Sequence, residues 1–198
     1  MLKYPTFAFF FFFICLEPTA SASFAEATAL LKWKASIINK NNSKLKSWNL
    51  ETKNSTNFSG HPKASSSPCN WFGVSCIDGS VNRLNLTNAS IHAFLYEFPF
   101  SSFPNLAYID LSVNRLFGTI PPQIGKLSNL VYLNLSTNQF RGTVSPQIGK
   151  LSKLDYLDLS ANQFTGTIPS EIGQLSNLKF LPLLQAHMVI SLQNLRIQ

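Results

Sequence analysis

Apolar and polar positions between residues 106 and 177 repeat with a period of 24 (130 − 106 = 154 − 130 = 24). The three repeats start at Leu106, Leu130 and Leu154, and each begins with the pattern L-x-x-(I/L)-x-L-x-x-N. A fixed period of about 20 to 29 residues is typical of proteins built from stacked coils. A single coil cannot bury its own apolar side, so the pattern predicts a solenoid whose neighbouring coils share one core.

Each repeat begins with alternating side chains, which predicts short strands at Tyr108–Leu111, Tyr132–Leu135 and Tyr156–Leu159. The inward positions are all Ile or Leu, namely Ile109, Leu111, Leu133, Leu135, Leu157 and Leu159. The positions between them and in the following bend are expected to face solvent without a packing role. They are the candidate binding residues: Tyr108, Asp110, Val113, Arg115, Tyr132, Asn134, Thr137, Gln139, Tyr156, Asp158, Ala161 and Gln163.

An asparagine follows each predicted strand, at Asn114, Asn138 and Asn162. A side-chain amide buried at a bend can bond backbone groups that no strand pairing reaches, so we expect a structural asparagine ladder. Glycines at 118, 142 and 166 suit a backbone that turns or approaches a neighbour closely. The Ile and Leu residues of segments 120–127, 144–151 and 168–175 supply the apolar return side.

The sequences Gly118-Thr119-Ile120-Pro121 and Gly166-Thr167-Ile168-Pro169, each followed by Ile-Gly-(Lys/Gln)-Leu-Ser, resemble the plant-specific class of extracellular leucine-rich repeats. The middle repeat departs from the pattern with Ser145 in place of proline. Such repeats occur in plant receptor-like kinases and receptor-like proteins. The resemblance implies an α/β fold: a right-handed solenoid with a short parallel sheet on its concave side and a second short strand from the Gly-x-Ile-Pro segment.

Residues 1–22 are predicted to be a secretory signal peptide. Lys3 precedes the apolar run Phe7–Leu16, and Ala20-Ser21-Ala22 is a small-residue cleavage pattern. The alternative is a membrane anchor, but ten apolar residues are fewer than the roughly 20 that span a bilayer as a helix. We therefore expect cleavage after Ala22.

Residues 23–80 are predicted to form an amino-terminal cap. Apolar residues at helical spacing predict a helix over Phe24–Lys34, and Leu45 and Trp48 are expected to pack on it. The polar composition of 49–67 indicates a loop. The prelude LLKWK…LKSWN and the motif PCNWFGVSC over 68–76 match the helical, disulfide-closed cap of the same plant family.

Cys69 and Cys76 are the two cysteines left after signal removal, and an even pair in a secreted chain indicates a disulfide. The alternative is a metal site in which these cysteines join two of His61, His92 and His187, but no ligand spacing supports it. Trp71 and Phe72 are expected to form an apolar plug between cap and first coil.

Residues 81–105 are predicted to be an irregular first repeat, because Ala89 replaces the ladder asparagine. Phe94, Phe98, Phe100 and Phe103 are expected to serve packing there. Residues 178–198 begin a degenerate fourth repeat and then lose the pattern. This tail either caps the solenoid or indicates truncation of a longer receptor, and we favour truncation.

The formal net charge of +7 could favour acidic polymers, but the cations are scattered, which argues against nucleic-acid binding. Asn-x-(Ser/Thr) sequons make N-glycosylation possible at Asn41, Asn54, Asn57, Asn85, Asn88 and Asn134. A glycan on Asn134 would obstruct the concave face.

The favoured function is an extracellular module that recognises a peptide, a protein ligand or another receptor ectodomain, without a catalytic domain or cofactor. The histidines form no cluster, and no serine lies in Gly-x-Ser-x-Gly, so an enzyme is disfavoured. Any membrane association would require a missing or partner segment. The alternatives are a secreted defence protein resembling the polygalacturonase inhibitors, or a non-functional truncated product.

Overall fold

A computed structural model describes residues 19–40, 42–50, 67–182 and 188–189. One α-helix, α1 (Thr19–Ser36), precedes the repeats. In chain order the strands are β1 (Val74–Ile77), β2 (Ser80–Asn85), β3 (Tyr108–Asp110), β4 (Phe117–Gly118), β5 (Tyr132–Asn134), β6 (Gln139–Gly142), β7 (Tyr156–Asp158), β8 (Gln163–Phe164), β9 (Gly166–Thr167) and β10 (Met188–Val189). Short 3₁₀ helices cover Ser43–Ser47, Pro68–Asn70, Leu95–Glu97, Phe100–Ser102, Pro122–Lys126, Pro146–Lys150 and Ser170–Gln174.

The main sheet has five strands in the order β1-β2-β3-β5-β7. β1 runs antiparallel to β2, and the other pairs are parallel. Tyr108 pairs with Tyr132, and Tyr132 with Tyr156, so equivalent residues of successive coils lie side by side. The repeat period therefore becomes a row of identical side chains across the strands. We call the solvent side of this sheet the sheet face; it corresponds to the expected concave side.

A second strand in each coil pairs β4 with β6 and β6 with β8 in parallel. These strands lie just before or within the Gly-x-(Ile/Val)-(Pro/Ser) segments, as the resemblance implied. Behind them the chain returns through the 3₁₀ helices Pro122–Lys126, Pro146–Lys150 and Ser170–Gln174. Each coil thus has a main strand, a lateral strand and a 3₁₀ return.

The core runs through the inside of the coils. The six predicted inward strand residues are at most 3% exposed, and the Ile and Leu residues of the return segments are also buried. These side chains belong to one continuous core that runs through the coils, so burial is shared between neighbours. The predicted solenoid with a parallel sheet and a helical cap is confirmed.

The cap packs on the first coil through aromatic rings. Trp48 lies 6.3 Å from Trp33 and 5.8 Å from Trp71 between ring centroids, and Trp33 meets Phe98 edge-on at 5.1 Å. The Trp48 indole N–H donates to the carbonyl of Phe72 at 2.9 Å. Rings of this size contribute most of the apolar area at such a junction.

Cys69 and Cys76 form the predicted disulfide. Leu45 and Trp48 are buried, as expected, and so is Trp71. The expectation for Phe72 is wrong, because its side chain is 40% exposed while its backbone carbonyl serves Trp48. The backbone of Phe72 is bonded on both sides, since its N–H also donates to Ser47 Oγ at 2.9 Å.

The irregular first repeat buries Phe98, Phe100 and Phe103, as expected. Phe94 is only half-buried and packs 3.9 Å from Phe117 between ring centroids. The predicted signal peptide lies largely outside the described residues, as do 51–66 of the predicted loop and most of the tail beyond 182. Within the described part, no helix is long and apolar enough to cross a membrane.

Two kinds of glycine set the coil geometry. Gly142 has a φ of +77°, and its equivalents at 118 and 166 share this left-handed backbone, which other residues adopt at a cost. Gly125 lies on the return side, where a Cβ would come within 2.8 Å of the carbonyl oxygen of Gln147 in the next coil. The return turns therefore approach each other closely through bare backbone.

Candidate binding face

A continuous stack of rings crosses the sheet face. Tyr132 lies 4.2 Å from both Tyr108 and Tyr156 between ring centroids, with interplanar angles of 7° and 12°. Phe180 extends the stack at 4.6 Å from Tyr156, and the guanidinium carbon of Arg83 sits 3.4 Å above the Tyr108 ring. We call these five residues the aromatic ladder. The register of β3, β5 and β7 places the tyrosines in one row.

The stacked tyrosines are half-buried, which changes their acidity. Desolvation, with hydrogen bonding to Tyr132 next, raises the pKa of Tyr108 to about 12. The same two causes raise the pKa of Tyr156 further. Both hydroxyls therefore stay neutral and can donate or accept hydrogen bonds at any physiological pH.

In the column beside the ladder, Asp110 is not free for ligands, contrary to the sequence-based expectation, whereas Asn134 and Asp158 are half-buried. Asp110 is 7% exposed, and its Oδ1 accepts hydrogen bonds from the N–H and Oγ of Ser112 at 3.0 and 2.6 Å. Asn134 Oδ1 accepts equivalent bonds from Ser136, and Asp158 Oδ1 accepts one from the Ser160 N–H. These Asx turns hold the chain as it leaves each strand. Asp110 thus serves the fold.

The residue before each ladder asparagine adopts a left-handed backbone, although none is glycine. The φ values are 55° at Val113, 53° at Thr137 and 50° at Ala161. All three side chains are exposed, as are Arg115, Gln139 and Gln163 two residues later. β-Branched residues are strained in a left-handed backbone, so Val113 and Thr137 carry a conformational cost. These six positions form an exposed margin along the sheet face.

The three ladder asparagines occupy equivalent bends. Asn138 donates through Nδ2 to the carbonyls of Leu111, Leu135 and Ser136 at 2.9 to 3.1 Å, and its Oδ1 accepts from the N–H of Leu116 at 2.9 Å. Asn114 and Asn162 make the equivalent bonds in their own coils. Each amide therefore joins two successive coils through backbone groups.

A groove of about 440 Å³ lies on the other side of the aromatic ladder. Exposed Ile77 and Val131 give it apolar walls, and Lys153 adds a positive charge at one end. Its full lining is Ile77, Asp78, Ser80, Asn82, Asn105, Ala107, Asn129, Val131 and Lys153. The groove was not foreseen, since its residues come from β1, from β2, from the turn between them and from the segments that precede β3, β5 and β7. Arg83 and Phe180 were also missed, although both fall in register with the tyrosines.

Two sequons occur on the sheet face, at Asn85 and Asn134. Asn134 is half-buried, and its Nδ2, the atom that a glycan would modify, donates to Asp110 at 3.4 Å. Asn85 accepts from the Thr87 N–H and hydroxyl at 3.2 and 2.9 Å. Asn88 is exposed with a φ of 50°. Asn41, Asn54 and Asn57 lie outside the described residues, and all six sites remain predictions.

The alternative metal site gains no support from the described residues. Both cysteines are joined to each other, and no group of three or more potential ligands is found in that part of the chain. His92 packs 5.1 Å from Phe117 between ring centroids. His61 and His187 lie outside the described residues.

Comparison with known proteins follows the same division of the chain. Residues 25–77 match a model of the leucine-rich repeat N-terminal domain, and 105–127, 129–151 and 153–175 match the leucine-rich repeat itself. The chain belongs to the leucine-rich repeat family. The ectodomain fold of this family is typically non-catalytic.

Among relatives, this leucine-rich repeat chain is 50% identical over 109 residues to a probable leucine-rich repeat receptor-like protein kinase of Arabidopsis thaliana. That match covers 54% of the chain but spans only 9% of the length of the kinase. The predicted resemblance to plant receptor-like kinases is confirmed for the matched region.

Solved plant ectodomains share the fold. The BIR3–SERK2 complex of Arabidopsis thaliana matches with a TM-score of 0.67 and 29% identity over 83% of this chain and 81% of the other. The ectodomain of GASSHO1/SCHENGEN3 from the same plant, in complex with CASPARIAN STRIP INTEGRITY FACTOR 2, matches with a TM-score of 0.68 and 29% identity. There the coverage is 83% of this chain and 18% of the other. These similar structures are extracellular receptor domains.

Proposed function

We propose that this leucine-rich repeat protein is an extracellular recognition module, and that its sheet face binds an extended peptide or the ectodomain of another receptor. The observation that carries the proposal is the aromatic ladder: five stacked groups, Arg83 through Phe180, lie in one line across the coils. Rigid rings with polar tips supply contact area at a low cost in side-chain entropy.

The surfaces on the two sides of the aromatic ladder indicate which kind of partner it could bind. The groove on one side offers the apolar walls of Ile77 and Val131, and the margin on the other offers Arg115, Gln139 and Gln163. A peptide crossing the coils could place apolar side chains in the groove and bond its backbone to the tyrosine hydroxyls. Two solved relatives support this class of partner, because one is bound to another receptor and one to a protein factor.

The proposal is tested by selecting a random peptide library displayed on phage against the immobilised protein. Selected peptides should bind the Tyr132→Ala variant at least about tenfold more weakly, as expected for loss of a central aromatic contact. Gln123→Ala is the matched control, because Gln123 is exposed on a return turn away from the ladder. Selection of no peptides, or equal binding by both variants, would contradict the proposed peptide-binding face.

A further inference from the structure

The cap carries a cluster of lysines that form no ion pair with any carboxylate of the described residues. Lys32, Lys34, Lys40, Lys44 and Lys46 fall within 15 residues, and no Asp or Glu occurs between Glu26 and Glu51. The one ion pair formed within the described ranges, Lys179 with Asp155, lies at the other end of the solenoid. This charge lies outside the sheet face and has no role in the proposed function.

Two of these lysines line a concave site between α1 and the 3₁₀ helix Ser43–Ser47. Its volume is about 340 Å³, which falls within the range of roughly 300 to 1,000 Å³ of small-ligand sites. The lining combines Lys34 and Lys40 with the apolar side chains of Leu31, Ile37 and Leu45. The site therefore combines positive charge with an apolar floor.

The ammonium groups are held in place by the backbone. Lys34 Nζ donates to the carbonyl of Trp48 at 2.7 Å, Lys40 Nζ donates to that of Ala35, and Lys44 Nζ to that of Asn88. An ammonium has three protons, so each lysine retains donors for a ligand. Partial burial also lowers the pKa of Lys34, which shows that its charge is incompletely solvated. An incoming anion would restore that lost stabilisation.

We propose that this lysine-lined cap site binds an acidic polysaccharide of the uronate class. A uronate ring has a carboxylate for the ammonium groups and an apolar C–H face for the floor of Leu31, Ile37 and Leu45. A polymer of such rings could extend from the pocket toward Lys44, which adjoins it on the 3₁₀ helix.

The test is calorimetric titration of the full chain with an oligogalacturonate of defined length. Lys40→Gln/Lys44→Gln should weaken binding by about tenfold or more, since each change removes a charge-assisted contact. Lys126→Gln/Lys150→Gln is the matched control, because it removes the same net charge from exposed return turns and should change affinity by less than about twofold. The Lys40→Arg/Lys44→Arg variant retains both charges and should keep binding. Circular dichroism should show that the Gln and Arg variants of the cap fold alike.

Equal weakening by the two Gln pairs would overturn the site, since general charge attraction would then explain binding. The fully methyl-esterified oligomer should not bind, and tight binding of it would contradict the role of the ammonium groups. Vesicles containing phosphatidylserine are the third probe. Tighter binding to these vesicles than to the oligogalacturonate would overturn the uronate assignment in favour of a lipid surface.

Discussion

Glu26 in the cap helix accepts a hydrogen bond of 2.7 Å from the hydroxyl of Ser80 at the start of β2, 54 residues further along the chain. The same carboxylate accepts the N–H of Val81 at 2.9 Å, and the Glu26 side chain is 2% exposed. A buried carboxylate that accepts both bonds satisfies a hydroxyl and a backbone N–H at the start of β2. It fixes the cap helix to β2 by polar contacts, in addition to the aromatic contacts of Trp33, Trp48 and Trp71.

We expect Glu26→Ala to lower the free energy of unfolding by about 1–3 kcal/mol, because it leaves two buried donors without an acceptor. Chemical denaturation followed by tryptophan fluorescence would measure the change. Glu97→Ala is the control, since Glu97 is exposed in the first repeat and should have little effect. An equal midpoint for the two variants would contradict the role of Glu26.

Asn138→Ala should destabilise the protein by about 1–3 kcal/mol, because four hydrogen bonds to buried backbone groups are lost together. Asn129→Ala is a suitable comparison, since that amide donates one bond, to the carbonyl of Pro104 at 2.9 Å. Differential scanning calorimetry should show a clear drop in Tm for the first variant and a small one for the second. Similar melting of both would argue against a ladder that joins the coils.

Val113→Asn should stabilise the protein by about 1 kcal/mol, because asparagine tolerates the left-handed backbone that strains valine. Val131→Asn is the control, because Val131 is also partly exposed but its φ is not positive. Its replacement should be neutral or destabilising. If urea unfolding shows that the Val113→Asn variant is less stable than the Val131→Asn variant, backbone strain at residue 113 does not dominate the effect of the substitution.

Alkaline pH should destabilise the aromatic ladder. The folded pKa of Tyr108 is about 12, above the value of about 10 expected in the unfolded chain, so the neutral form is favoured by folding. The stabilisation is complete below pH about 10 and is lost as the pH rises toward 12. Absorbance at 295 nm should show late ionisation of this group, and Tyr108→Phe should reduce the fall in unfolding free energy over that range. An unchanged pH slope in the variant would contradict this account.

The sequence predicted the periodic elements well because one physical requirement, burial between coils, is repeated three times. The strands, the inward Ile and Leu residues and the bends with Asn114, Asn138 and Asn162 all follow from it. The burial of Asp110 was missed because strand alternation alone places that side chain in solvent. The Asp-x-Ser spacing to Ser112 was the overlooked signal, since it is typical of an Asx turn.

Other features depend on contacts that periodicity does not encode. The left-handed backbone at Val113 goes against local preference, because the bend is imposed by the bonds of Asn114 and the packing of adjacent coils. The extension of the ladder to Arg83 and Phe180 required the register of irregular repeats. The lysine-lined cap site draws all its residues from positions 31–45, but the fold of the segment between α1 and the 3₁₀ helix, which shapes the site, is not encoded by periodicity.

The close approach at Gly125 gives the solenoid a means of changing its shape. The return turns meet there through backbone, whereas the opposite side is spaced by strand hydrogen bonds of nearly fixed length. A methyl group at this point would act as a wedge on one side of the stack only, and would bend the long axis at a single joint. The curvature and pitch of such a solenoid can therefore be changed by adding one methyl group on the return side, while the main strands keep their pairing.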